Sequence, residues 1–110
     1  MTQTIAVVDY GSGNLHSVSR AIARVGGSAL VTRDAEQIAA ADALVIPGVG
    51  HFGACMRAIC HHGMDRAITD FRATGRPVFG VCVGMQVLFE DSDEDDEPGL
   101  GLLSGRVERL

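Results

Sequence analysis

Apolar residues along the chain alternate between short β-branched runs and longer stretches with helical spacing. "TIAVVDY" at residues 4–10 is a compact apolar run that ends on Asp9, as a buried parallel strand does where it meets a loop. The break "GSGN" follows, and Leu15, Val18, Ile22 and Val25 then recur on one helical face until Gly26 and Gly27 stop the pattern. "SALVT" at 28–32 predicts a second strand. Asp34 is placed to cap a helix through "AEQIAAA", and "ALVIPG" at 43–48 predicts a third strand closed by proline. Residues 52–74 are helical in pattern with a break near Gly63, and Met56, Ile59, Ile68 and Phe71 are the inward positions. "RPVFGV" predicts a fourth strand, "GMQVLFE" a helix, and "GLLSGRVERL" a turn into a fifth strand. Strands alternating with helices predict an α/β fold: a doubly wound, mostly parallel sheet with helices on both faces.

Composition narrows the function classes. With 110 residues, 46% apolar and 21% charged, the chain suits a single globular unit. Net charge is −5, but residues 90–97 carry seven of the 14 acids, so the acidity is local. That segment fails as a calcium loop: counted from Asp91, Asp96 stands where glycine is needed and Leu102 where glutamate is needed. A solvated, mobile surface loop is expected there instead. All nine basic residues are arginines scattered along the chain, which predicts no nucleic-acid surface. No apolar run approaches a membrane span and the start does not resemble a signal peptide, so no membrane partner and a cytoplasmic location are expected.

Cys55, Cys60 and Cys82 form an odd set with no C-x-x-C pair, which fits a reducing compartment. On a helix Cys55 and Cys60 point about 140° apart and cannot share a metal. No metal and no cofactor is expected. "GSGNLH" fails the dinucleotide fingerprint because His16 replaces the third glycine.

Asp9 to Asn14, Pro47 to Gly50, and Cys82 each follow a predicted strand, where doubly wound sheets bind ligands. Gly80-Val81-Cys82-Val83-Gly84 has the form G-x-C-x-G, the thiol counterpart of the nucleophile elbow, in which a strand turns sharply into a helix and exposes the central side chain. Cys82 is therefore the candidate nucleophile, at a helix N-terminus, with the Val83 N–H as a donor to a developing oxyanion. In "PGVG", glycines at 48 and 50 allow a peptide N–H to turn toward a ligand.

"GVCVGMQ", "PGVGHF" and "VVDYGSGNLHS" together resemble the class I glutamine amidotransferases, and within them the glutaminase subunits of imidazole glycerol phosphate synthases. The resemblance runs from Ile5 to Leu110. It implies that Cys82 attacks the side-chain amide of L-glutamine, forms a glutamyl thioester and releases ammonia. It also implies that Gly48, Val49, Gly50 and Val83 form the oxyanion hole, that Gln86 helps hold glutamine, and that Asn14 lies near a partner. That partner is a cyclase subunit with a (β/α)8 barrel, which uses the ammonia in histidine biosynthesis.

One departure stands out. The family completes its triad with H-x-E in its C-terminal half, whereas the histidines here, at 16, 51, 61 and 62, are never followed two residues later by glutamate. His51 is on the rim, but nothing in the sequence orients it as a base. The expectation is that residues 1–110 are the N-terminal part of one amidotransferase domain, truncated at the C-terminus and inactive alone. Two alternatives remain at this point: the glutaminase of another amidotransferase, and a non-catalytic, chaperone-like protein sharing the cysteine elbow.

Overall fold

A computed structural model describes residues 3–11, 15–94 and 96–110 of the chain. The elements run β1 (Thr4–Val8), α1 (Leu15–Arg24), β2 (Ser28–Thr32), α2 (Ala35–Ala40), β3 (Ala43–Ile46), α3 (Phe52–His61), α4 (Met64–Ala73), β4 (Val78–Gly80), α5 (Val83–Gln86), β5 (Asp91–Ser92) and β6 (Arg106–Val107). Four strands form one parallel sheet in the order β2-β1-β3-β4. The order reverses between β1 and β3, so the loops leaving those two strands flank the crevice where such sheets place ligands.

Period-two alternation divides the core between the sheet's faces. Ala6, Val8, Leu44 and Ile46 face one way, with Ile38 of α2, Ile59 of α3, Phe71 of α4 and Val83 of α5 in the same buried cluster. Val7 and Val45 face the other way with Ile22 of α1. Helices thus cover both faces, though unequally.

Local chemistry explains the element ends. The Asp34 carboxylate accepts from the N–H groups of Glu36 (2.8 Å) and Gln37 (3.4 Å), capping α2 as its sequence position predicts. Gly63 separates α3 from α4, and Met56, Ile59, Ile68 and Phe71 are all buried.

Four expectations are corrected. Val25 does not continue the inward stripe of α1; it lies past the helix end at Arg24 and is 84% exposed. The helix after Cys82 is one regular turn, followed by tighter bonds from Leu88 to Met85 and from Phe89 to Gln86. The last strand does not join the main sheet: β6 pairs in parallel with β5, in register Asp91 with Arg106 and Ser92 with Val107. β5 lies inside the acidic stretch, so that stretch is not a free loop. Ser92 is buried, and the Arg106 guanidinium lies 3.1 Å from Asp91 and 2.9 Å from Asp93.

Candidate functional site

Cys82 connects β4 to α5 with φ 55 and ψ −123, the one non-glycine residue among those described with positive φ. Left-handed backbone is unfavourable for an L-residue carrying a side chain and persists only where the surroundings enforce it. The flanking glycines permit that close surround. Neither carries the unusual angle; both make room. A Cβ on Gly84 would run into the carbonyl oxygen of Ile46, and one on Gly80 would run into the backbone of Met85. α5 can therefore lie against the end of β3 while the Cys82 side chain stays exposed. The Val81 N–H bonds to Ile46 O at 3.0 Å, continuing the β3–β4 ladder to the corner. Val83 is the first residue of α5, and the first N–H groups of a helix have no acceptor within it.

The Pro47 to Gly50 corner meets this elbow directly. A Cβ on Gly48 would lie 2.6 Å from the Gly84 nitrogen, 2.6 Å from Val83 Cγ1 and 2.9 Å from the Tyr10 hydroxyl. Glycine at 48 is thus a matter of close approach, whereas Gly50, at φ 85, is a matter of backbone angle with open space around it. Val49 between them is 53% exposed. Gln86 lies further along α5, on a cavity of about 200 Å³ lined also by Ser92, Asp93, Glu94 and Val107. The remaining candidate, Asn14, lies outside the described residues.

His51 is oriented after all. Its Nδ1 accepts from the Gly53 N–H at 3.1 Å, capping α3, and its Nε2 lies 3.8 Å from the Glu94 carboxylate. Glu94 also accepts from the Phe52 N–H at 2.6 Å, at the positive end of α3. Both ring nitrogens of His51 therefore face helix-capping partners. Sequence reasoning missed Glu94 because it sits among seven acids with nothing to single it out. It also missed Tyr10, the sole tyrosine, whose place beside Asp9 at the rim was the available signal. The Tyr10 hydroxyl donates to the Pro47 carbonyl and lies 3.1 Å from Cys55 Sγ.

The other two thiols, Cys55 buried and Cys60 exposed, both hold their protons more firmly than a free cysteine. Burial pushes the Cys55 thiol above its ordinary value. Cys60 is also raised, by desolvation and then by the carboxylates of Asp65 and Glu97. Among the described residues no three His, Cys, Asp or Glu side chains are grouped to hold a metal ion, and no helix is long and apolar enough to cross a membrane.

The glutamine amidotransferase class-I family model matches residues 6–95. The chain belongs to the class-I glutamine amidotransferase family. Among curated relatives, the imidazole glycerol phosphate synthase subunit HisH of Symbiobacterium thermophilum is 51% identical over 107 residues, 96% of this chain and 50% of that protein. The subunit of the same name from Corynebacterium glutamicum is 48% identical over 112 residues, covering 100% of this chain and 53% of that protein. A solved structure described as a glutamine amidotransferase superposes with a TM-score of 0.78 at 25% identity, over 94% of this chain and 56% of that one. The chain spans about half the length of the curated relatives it matches. The corner at Cys82 lies within the matched residues 6–95.

Proposed function

We propose that this chain is the nucleophile-bearing part of a single amidotransferase domain, acting as the glutaminase subunit of imidazole glycerol phosphate synthase. The reading is supported chiefly by one observation: Cys82, exposed at φ 55, stands at a corner packed directly against Gly48. The Cys82 sulfur attacks the side-chain carbonyl carbon of L-glutamine; the C–N bond breaks, ammonia leaves, and water later cleaves the glutamyl thioester to glutamate. The N–H groups of Val49 and Val83 stabilise the oxyanion, Gly48 and Gly50 allow the first of these to turn inward, and Gln86 helps hold the substrate. The ammonia passes to a cyclase subunit built as a (β/α)8 barrel, with Asn14 near that partner. The names of the relatives, at about half identity over the full chain, support the assignment to this synthase over other amidotransferases.

Such a reaction needs a group to take the thiol proton and return it to the departing ammonia. His51 is held away from that task by Gly53 and Glu94. The 110-residue chain is therefore expected to form a thioether at Cys82 with the glutamine-like diazoketone 6-diazo-5-oxo-L-norleucine, and to hydrolyse glutamine negligibly. Mass mapping of the adduct and an ammonia assay check both; steady glutamine turnover, or no adduct at Cys82, refutes the corresponding half.

A further inference from the structure

Tyr10 and Cys55 are buried polar side chains that the proposed reaction does not use, 3% and 5% exposed. They meet at the back of the Pro47 corner. Pro47 is fully buried, so water cannot satisfy its carbonyl oxygen, and the Tyr10 hydroxyl does so instead. A carbonyl only accepts, so the single tyrosyl proton is committed to Pro47. The tyrosyl oxygen must then act as acceptor toward Cys55, whose sulfur lies 3.1 Å away. Cys55 can donate only as a thiol, the form that its burial favours. The result is a directed chain, S–H to O–H to O=C, running from α3 through the end of β1 to the loop after β3.

We infer that Tyr10 is a positioning residue, with Cys55 behind it, that fixes the Pro47 carbonyl and thereby the direction of the peptide groups at Gly48, Val49 and Gly50. The same hydroxyl lies against Gly48, where a Cβ would be 2.9 Å from it, so it acts on the corner both as donor and as wall. The loop is held at Pro47 on one side and at the α3 N-terminus, through His51 and Phe52, on the other. Gly50 between them has open space where a side chain would lie, so the peptide groups next to Pro47 take their direction from the Pro47 anchor. The inference rests on the glutaminase reading only for its catalytic consequence.

The test uses the 15N-labelled chain in a Cys60→Ser background, so that Cys82 is the accessible thiol. In Tyr10→Phe, amide order parameters of Val49 and Gly50 are expected to fall from the rigid range of about 0.85 toward 0.6, while those of Leu44 and Val45 hold. Alkylation of Cys82 by the diazoketone, which needs the oxyanion donors, slows by about fivefold, the worth of one hydrogen bond; alkylation by iodoacetamide, which does not, stays unchanged. Cys55→Ala shifts both readouts the same way by less, and decides the matter if Tyr10→Phe does not fold. Unchanged loop order, or equal slowing with both reagents, overturns the inference. Loop order lost in the variant with no diazoketone adduct on the parent chain sinks the glutaminase reading and leaves this one standing.

Discussion

The two faces of the sheet are built to different degrees. On one, α2, α3, α4 and α5 close over Ala6, Val8, Leu44 and Ile46, and the catalytic candidate Cys82 is held at the edge of that closed layer by Val83 and Val87. On the other, among the described residues, α1 is the one helix packed against Val7 and Val45. A single row crosses all four strands on this second face: Val31, Val7, Val45 and Phe79 are register partners in turn. Its middle is buried, but its ends are open, Val31 at 40% and Phe79 at 66% exposure. The contrast teaches that the strained corner depends on the closed face. A left-handed cysteine needs a surround that cannot yield, and only the side with interlocked helices supplies one.

The largest test of that contrast is Phe71→Ala. It empties a fully buried ring from the closed face and is expected to cost about 3–5 kcal/mol in denaturant unfolding. Gly84→Ala comes next. Its methyl group collides with the Ile46 carbonyl, so the elbow must shift, with a loss of about 1–3 kcal/mol and slower diazoketone labelling of Cys82. Normal stability and labelling in that variant would show that the corner is less tightly held than its packing implies.

A smaller, pH-dependent effect comes from Cys55 on the same closed face. Its folded thiol keeps its proton to higher pH than the unfolded thiol does. The unfolded state therefore ionises first, and stability that is complete below the ordinary thiol value of about 8.5 declines as pH rises through the folded value. Unfolding midpoints measured from pH 7 upward should fall at the alkaline end, less steeply in Cys55→Ala. The smallest effect belongs to the open face: Phe79→Ser removes an exposed ring and should change stability by no more than about 0.5 kcal/mol. A loss as large as that of Phe71→Ala would mean that the two faces do not differ as described.

Much of this was legible in the residues. The four main strands, the Asp34 cap, the break at Gly63 and the G-x-C-x-G corner each leave a local signature, because each depends on backbone preferences or periodicity within a few positions. The acidic stretch was misread for the opposite reason. Composition at residues 90–97 favours solvation, yet Arg106 and the α3 N-terminus bind three of its carboxylates, and neither partner is near it in sequence. The pattern marks glycines 80 and 84 but not the reason for them, since close approach cannot be told from backbone freedom without knowing what approaches.

By itself the sequence determined the alternation of strands and helices, the family to which they belong, and the position of the exposed thiol at a strand-to-helix corner. Tertiary structure alone decided the order β2-β1-β3-β4, the pairing of β5 with β6, the capping of α3 by His51 and Glu94, and the line from Cys55 through Tyr10 to Pro47. Local patterns record what a segment prefers, whereas hydrogen bonds between residues 37 and 45 positions apart exist only once the chain has folded them together.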